Sequence, residues 1–441
     1  MPATRRPPEG RGARFADARL DGMHLDQAHL TRLSLVLAAA LAAVPASAQQ
    51  EQQQGWKTGP GARLARPGVE LRLTGYVQED FRSFRDYEDG SGVRPELGEE
   101  TVLRRLRGGI DAKWDRLNIN FDYDPRDSTE HLKNLYADIK ISKALHLTGG
   151  NMKLPVSAEW LTSASRIDFI ERNLPASTLA PGRDWGVKLS GEPIRRVEYE
   201  IGVFAGDGRT AESRADTTVA GRLEATVLKG LQVGVSGSRG QVHADAPEAA
   251  DPIARGVPFR APSGFRFYER HFVDGTRRRA GADARLYYKA LGLKLEVLDM
   301  RQERRGQGSV LDDLPAEVSR GWSASATWLV TGGRKTRTMD VEHPIHRGGV
   351  GAVELGVRYD ALEVDDDGPD SGFAASGSRA RNIRPVGSKT LTGGLSWWPV
   401  EFVRLVANAV VERYDDPLLA PAPGRKGNYV ALLGRVQMSV P

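Results

Sequence analysis

The sequence predicts an all-β protein, a transmembrane antiparallel β-barrel of about sixteen strands with one loop folded inward. Three observations favour this fold: segments in which apolar and polar residues alternate, links that are by turns short and long, and an N-terminal export signal. Of the 441 residues, 27% are charged, and the mean hydropathy is -0.43. These values argue against a bundle of membrane helices, whereas a barrel hides its apolar residues by alternation.

An export signal is predicted to end at residue 48. Residues 33–48 (LSLVLAAALAAVPASA) follow Arg32 and end in a small-x-small site. This pattern is typical of a secretory signal with cleavage after Ala48; a buried Ala/Leu helix is the alternative. Residues 1–22 fit no part of a signal, which favours Met23 as the start. The Gln-, Gly- and Pro-rich segment 49–67 is expected to be flexible in the periplasm, and the barrel to span 68–441.

The strands are predicted from two-residue alternation. In residues 117–123 (LNINFDY), one face is apolar and the other carries two asparagines and an aspartate. Helical spacing would scatter these apolar residues around an axis, whereas a strand gathers them on one face. The same pattern predicts strands at 69–83, 101–114, 117–125, 134–142, 145–153, 184–192, 197–206, 218–228, 231–240, 278–290, 293–304, 321–332, 352–364, 388–400, 403–415 and 426–440.

The links between these segments alternate in length. The short ones are 115–116, 143–144, 229–230 and 291–292, and the long polar ones include 84–100, 154–183, 241–277 and 365–387. Outer-membrane barrels have short periplasmic turns and longer external loops. The long segment 333–351 falls on the short-turn side, so it either hides a strand extension or marks an error in the count. A soluble β-sandwich or solenoid would explain the alternation, but not this rhythm together with an export signal.

Tryptophans lie at or near the ends of the predicted strands, where membrane barrels place aromatic girdles. They are Trp114, Trp185, Trp322, Trp328, Trp397 and Trp398.

The faces predicted to point inward are charged. In segment 101–114, the set expected to face lipid is Leu106, Ile110, Ala112 and Trp114, and the inward set is Arg105, Arg107, Asp111 and Lys113. A barrel of this size can hold water, and a dry core would not tolerate unpaired charges. We therefore expect a solvated wall, which continues in Lys140, Lys188, Arg222, Glu224, Arg279, Asp283, Arg285, Lys294, Glu296, Glu354, Arg358 and Arg435.

The link 154–183 is predicted to fold into the lumen and narrow it. It contains apolar residues such as Trp160 and Phe169, which a loop floating in water would not need. Its cations are Arg166, Arg172 and Arg183, with Lys153 at its root. Guanidinium groups bind phosphate or carboxylate bidentately, so these side chains are candidates for contacts with passing anions. The alternative is that they pair with Glu159, Asp168, Glu171 and Asp184 and pin the loop.

Other function classes find little support in the sequence. The absence of cysteine excludes disulfides and thiolate chemistry. His343 and His346 form an isolated H-x-x-H, and the run 365–368 lacks the spacing of a calcium loop. No catalytic motif occurs, so neither an enzyme nor a metal or cofactor is expected; a barrel-borne enzyme and a plugged structural barrel remain as alternatives. The net charge of +5 is weak, and the basic run 277–279 suggests lipid phosphate at the rim, not nucleic acid.

Several segments resemble the phosphate-selective porin O/P family. Residues 150–191 resemble its constriction-loop region, notably FIER at 169–172 and APGRDWG at 180–186, and residues 103–111, 117–124 and 351–362 resemble three of its strands. The resemblance implies a homotrimeric, sixteen-stranded porin of the bacterial outer membrane for passive uptake of phosphate or related small anions. Outer-membrane lipid and lipopolysaccharide would be its surroundings. A general diffusion porin without phosphate specificity is the alternative.

The resemblance also implies where anions bind, because arginines line the way in and lysines form the narrow site in that family. Arg104, Arg105 and Lys153 match positions of that kind. This chain departs from the pattern in two ways: link 154–183 has no lysine, and the chain ends in Ser439-Val440-Pro441 without a terminal aromatic residue. The residues expected to bind anions or line the channel are Arg104, Arg105, Arg107, Lys140, Lys153, Arg166, Arg172, Arg183 and Lys188.

Overall fold

The computed structural model describes residues 57–59, 63–66, 68–85, 100–127, 130–208, 216–246, 249–308, 310–336, 339–368, 383 and 385–440. The predicted signal peptide lies outside the described residues. Within these ranges, no helix is long and apolar enough to cross a bilayer. The strands are β1 (Lys57–Gly59), β2 (Arg63–Arg66), β3 (Val69–Arg85), β4 (Glu100–Trp114), β5 (Leu117–Tyr123), β6 (Leu132–Lys140), β7 (His146–Lys153), β8 (Arg183–Ile194), β9 (Val197–Phe204), β10 (Thr218–Leu228), β11 (Leu231–Val242), β12 (Phe259–Arg260), β13 (Arg266–Tyr268), β14 (Gly275–Tyr288), β15 (Leu291–Arg304), β16 (Leu314–Leu329), β17 (Ala352–Asp366), β18 (Val386–Val400), β19 (Val403–Tyr414) and β20 (Tyr429–Ser439).

Sixteen strands, β3–β11 and β14–β20, form one closed antiparallel barrel. Each pairs with the next barrel strand, and β20 pairs with β3 from Val430↔Arg85 to Ser439↔Tyr76. Closure satisfies every strand edge, which a sheet in lipid requires. All sixteen predicted strands are confirmed, with ends shifted by a few residues. The largest shift is at β16, which begins at Leu314 and not at 321.

Two short hairpins were not predicted. β1 pairs with β2, and β2 pairs in turn with β3 (Arg63↔Arg72), so part of the segment 49–67 forms strands. β12 pairs with β13 inside the long link 243–274. Strands of two to four residues are too short for alternation to reveal them.

The outward face of the barrel is apolar, as predicted. Along β4, Leu106, Ile110 and Trp114 are 41%, 43% and 69% exposed. The tryptophan girdle needs two corrections. Trp398 is buried inside the barrel, because it follows the outward Trp397 and neighbouring strand residues point to opposite faces. Trp322 faces outward but lies in the middle of β16, because that strand begins earlier than predicted.

The links confirm the alternation of short and long connections. One end of the barrel carries the two-residue turns, at 115–116, 195–196, 229–230, 289–290 and 401–402. The other end carries the long links 154–182 and 243–274. The link 330–351 holds only the short 3-10 helix Ile345–Arg347 in its described residues, so the strand extension considered for it is absent there. Val341 of this link packs with the inward-facing Trp398.

The apolar core lies inside the barrel and is built by two long links. Leu154, Leu174 and Leu179 of link 154–182 belong to the same buried cluster as Phe259 and Phe265 of link 243–274. Link 154–182 contains two short helices, α1 (Ala158–Leu161) and α2 (Leu174–Leu179). The side chain of Asn173 caps α2 by accepting a hydrogen bond from the Ala176 N–H at 2.7 Å.

Candidate functional site

Link 154–182, here called the inner loop, is held against one side of the barrel by ion pairs. Asp168 contacts Lys294 of β15 at 2.6 Å and Lys335 of link 330–351 at 2.9 Å. Burial alone would raise the pKa of Asp168, but the two lysine charges outweigh it and hold the pKa below its ordinary value. Asp168 therefore links the inner loop both to the barrel wall, through Lys294, and to the turn end of the barrel, through Lys335.

A second carboxylate of the inner loop, Glu171, lies among arginines. It contacts Arg104 of β4 at 3.4 Å, Arg82 of β3 at 3.5 Å and Arg435 of β20 at 3.7 Å. Burial would raise the pKa of Glu171, but the surrounding arginine charges lower it further than burial raises it. This cluster holds the inner loop beside the pairing of β20 with β3, which closes the barrel.

Wall arginines also donate hydrogen bonds to backbone carbonyls of the inner loop. Arg404 donates to the carbonyl of Ile167 at 2.6 Å, and Arg435 to that of Ile170 at 2.6 Å. Arg358 donates to the carbonyl of Glu171 at 2.8 Å. Inside the barrel these carbonyls would otherwise lack partners, so the arginines satisfy them and position the loop.

Phe169 is the apolar anchor of the inner loop, and it lies on a part of the wall made of glycine. A Cβ on Gly394 would come within 3.0 Å of the Phe169 ring, and one on Gly356 within 3.1 Å. The guanidinium of Arg358 stacks on the ring at 4.7 Å. Glycine at these positions lets an aromatic ring approach the sheet closely.

Link 243–274, here called the aromatic loop, occupies the interior near the long-link end. Phe259, Phe265 and Tyr268 are buried there, and Phe265 lies edge-on to Tyr414 of β19 at 5.5 Å. The Tyr268 hydroxyl donates to Glu317 of β16 at 2.7 Å. Together the two loops fill the part of the interior that faces β14–β20.

The opposite part of the interior, facing β3–β9, holds a cavity of about 950 Å³, here called the side cavity. The inner loop contributes Leu161, Ser163, Ser165 and Arg166 to its lining, and the wall contributes polar side chains such as Asn120 and Thr148. Such a lining favours water over a packed core.

Cations outnumber carboxylates around the side cavity. Its lining cations are Arg72, Arg107, Lys113, Lys153, Arg166, Arg183 and Lys188, and its carboxylates are Asp111, Asp122, Asp138 and Glu200. Seven minus four leaves three positive charges if His146 is neutral. Arg166 is exposed, and in the described part of the chain no carboxylate pairs with its guanidinium.

The sequence from residue 71 to residue 437 matches the family described as phosphate-selective porin O and P. The chain belongs to this family. It is thus an outer-membrane porin, and the predicted family, fold and location are confirmed.

Solved structures of porins share the fold at low identity. An anion-selective porin from Comamonas acidovorans is 11% identical, with a TM-score of 0.53 over 84% of this chain and 99% of that chain. OmpT, an outer membrane protein of Vibrio cholerae folded in vitro and solved in a trimer form, gives the same values. No curated protein matches the chain.

The porin brings five of the nine predicted site residues to the side cavity, namely Arg107, Lys153, Arg166, Arg183 and Lys188. Lys153 donates hydrogen bonds to the carbonyls of Trp160, Leu161 and Thr162, so it also braces the inner loop. Arg183 contacts Glu130 at 3.3 Å and Lys188 contacts Glu200 at 2.5 Å.

The other four predicted residues lie outside this lining. A bulge in β4 opposite Gln78 adds Arg104 as an extra residue, so both Arg104 and Arg105 reach inward; Arg105 donates to Gln78 at 2.8 Å. Arg172 donates to the carbonyls of Glu159 and Thr162 and stays within the inner loop. Lys140 is exposed at the turn end of β6.

The expectation of a uniformly solvated wall is wrong for the side facing β14–β20. Asp283, Glu354 and Arg435 are buried there, as is Arg222 of the nearby β10, because the two inner links displace the water and the charges pair with each other or with the loops. Arg222 contacts Asp283 at 2.6 Å, for example. This is how a dry interior tolerates charge.

Lys335 and Arg404, which hold the inner loop from a distance, were not predicted, and Arg358 was predicted only as a residue of the solvated wall. No local pattern marks them, since Lys335 and Asp168 are 167 residues apart in the chain. The aromatic loop was also missed, although Phe259, Phe265 and Phe267 within one polar link are the same kind of signal that identified the inner loop.

Proposed function

We propose that this porin passes small anions, phosphate or related ions, through the side cavity between the inner loop and the wall β3–β9. The observation that carries the proposal is the cationic excess of that cavity, with the guanidinium of Arg166 unpaired by any described carboxylate. An exposed cation attracts an anion yet releases it, which passage requires. Diffusion along this route needs no catalytic group, so we propose a channel and not an enzyme.

Phosphate is the favoured solute, because the guanidinium groups of Arg107, Arg166 and Arg183 can bind its oxygens in pairs. The family name supports this choice. A general diffusion porin is the second candidate, favoured by the pairing of several lining cations, as in Arg72 with Asp111 at 2.5 Å. Titrating phosphate into a chloride solution distinguishes them: phosphate binding blocks chloride current at millimolar concentrations, whereas a general porin shows no such block.

We propose a homotrimer in a bilayer of outer-membrane lipid and lipopolysaccharide. The trimer form of the Vibrio cholerae relative supports this assembly. The belt of exposed apolar side chains on the outer face, such as Leu293, Leu295 and Val297, fits a hydrocarbon environment.

The route is tested by Arg166→Glu in planar bilayers. A unit charge about 8 Å from an ion changes the ion's free energy by about 0.5 kcal/mol in water, so charge reversal should change partition about fivefold. We expect the reversal potential in a salt gradient to move toward cations. Arg413→Glu is the control, because Arg413 is exposed on the outer face of β19. Equal reversal potentials for wild type and Arg166→Glu would place the route elsewhere.

A further inference from the structure

Three arginines lie side by side on the outer face of the barrel. Arg239 of β11 is directly opposite Arg278 of β14, and Arg278 is directly opposite Arg301 of β15. Arg239 and Arg278 are exposed, and their strand neighbours Ser238 and Arg279 are buried. Because successive strand residues alternate between faces, the row points away from the lumen and takes no part in the route for anions.

Two of these arginines lack a counter-charge within the described residues. Arg301 contacts Glu303 at 3.9 Å and also pairs with Asp367. No described carboxylate contacts Arg239 or Arg278, and the residue opposite Arg239 on β10 is Val219. Like charges directly opposite each other on neighbouring strands are destabilising, so this pair calls for an anion from outside the chain.

The height of the row identifies the environment of that anion. On β11 the outward residues below Arg239 are Gly237, Val235, Val233 and Leu231, and Leu231 follows a two-residue turn. Eight residues span about 26 Å along a strand, or about 20 Å along the membrane normal after tilt. The row therefore lies at the long-link, external edge of the apolar band, at the depth of outer-leaflet headgroups.

The surface below the row is recessed and mainly apolar, although the exposed ion pair of Asp299 and Arg320 lies on it beside Ala280. Outward residues of β14 beneath Arg278 are Ala280, Ala282 and Ala284, all small. Ala280 and Ala282 line a depression of about 680 Å³ with Val297 and Trp322, and Ala284 lines a second one of about 440 Å³ on the same strands. A saturated acyl chain fits such a recess.

We propose that Arg239 and Arg278 bind a phosphate of a phosphorylated, multiply acylated glycolipid of the outer leaflet, the lipid A part of lipopolysaccharide, with one of its acyl chains on the alanine surface of β14. Charge complementarity favours this occupant over a second copy of the chain, because an arginine pair at headgroup depth meets phosphate there. Guanidinium groups suit phosphate better than ammonium groups do, since they bind two oxygens at once.

The test uses the refolded full chain in detergent, titrated with bis-phosphorylated lipid A and followed by native mass spectrometry. We expect one tightly bound lipid A per protomer, and a Kd raised about tenfold for each arginine lost, or about 100-fold in Arg239→Gln/Arg278→Gln. The Kd of Arg239→Lys/Arg278→Lys should lie between that of the wild type and that of Arg239→Gln/Arg278→Gln. Arg195→Gln/Arg196→Gln, an exposed pair at the opposite end of the barrel, should bind like wild type. Heat-modifiable gel mobility checks that each variant is folded.

Four results would overturn the proposal. The first is equal affinity in wild type and the Arg239→Gln/Arg278→Gln variant. The second is undiminished binding of dephosphorylated lipid A, since the pair would then not recognise a lipid phosphate. The third is release of lipid A by millimolar inorganic phosphate, since the pair would then be a site for the free anion and not for the lipid. The fourth is a change in protomer number without a change in lipid binding, which would make this face an interface between copies.

Discussion

Strand parity gives identical side chains different roles, as the run Arg277-Arg278-Arg279 shows. Arg277 and Arg279 face inward and share Asp207 at 2.6 and 2.8 Å. Arg278 lies between them in sequence and is exposed on the outer face. The suggestion that the run contacts lipid phosphate is wrong for Arg277 and Arg279, because only every second strand residue faces the membrane. The inward position of Arg279 agrees with the prediction made from strand parity.

The single carboxylate of Asp168 is expected to decide how firmly the inner loop is held. Asp168→Asn removes the counter-charge that Lys294 and Lys335 share. It leaves each lysine with one other carboxylate, Glu159 at 3.8 Å and Glu354 at 2.5 Å respectively. The cost should therefore be less than about 3–5 kcal/mol, the cost of a buried charge left without any partner. We expect noisier open-channel current in planar bilayers. Asp365→Asn, the same change at an exposed position, should leave the noise unchanged.

The pKa of Asp168 also predicts how the wild-type loop responds to acid. The folded pKa lies below the ordinary value, so the stabilisation is complete above that ordinary value of about 4 and is lost only as pH falls through the lower folded pKa. Current noise should therefore stay constant between pH 7 and pH 4. An increase in noise already at pH 5 would show that another carboxylate in contact with the loop, such as Glu296 beside Ser157 and Asn173, controls the loop at that pH.

The elements differ in how far the sequence predicts them. The strands were predictable because lipid on one side imposes a strict two-residue period, and β4 shows it with Leu106 outward and Arg107 inward. The inward position of the inner loop followed from Phe169 and Trp160 in a polar link. Which cations stay free did not follow, because pairs such as Arg435 with Asp80 join residues 355 positions apart. Arg166 and Lys153 both line the side cavity, and the sequence does not distinguish them. The contacts do, because Lys153 donates hydrogen bonds to the inner loop whereas no described carboxylate pairs with Arg166.

The contact of Phe169 with the glycine surface of the wall is the apolar interaction that positions the inner loop. Phe169→Ala empties the space over Gly356 and Gly394, and truncation of a buried Phe costs about 3–5 kcal/mol. We expect a loosened loop, measured as frequent brief closures in single-channel records. Phe121→Ala is the matched control, since Phe121 is 38% exposed on the outer face and does not touch the loop. Equal closure rates in both variants would contradict this role of the Phe169 side chain.

For the whole molecule, the defining property is the asymmetry of the barrel interior. The wall β14–β20 carries buried ion pairs and aromatic packing, whereas the wall β3–β9 faces a polar cavity. The same closed sheet thus acts as a scaffold on one side and as a channel wall on the other. What makes the difference is the inner loop, whose contacts with Lys294, Arg358, Arg404 and Arg435 draw it to one side.

This asymmetry predicts which side of the barrel controls conductance. The chain has no cysteine, so a single introduced thiol is unique. Ser190 lines the side cavity, whereas Ser323 is 4% exposed on the filled side. We expect a bulky anionic thiol reagent to reduce the conductance of Ser190→Cys channels stepwise and to leave Ser323→Cys unchanged. Labelling both variants after denaturation shows that each thiol can react. If Ser323→Cys were blocked in the native channel, or Ser190→Cys were not, ions would be crossing on the side that the loops fill.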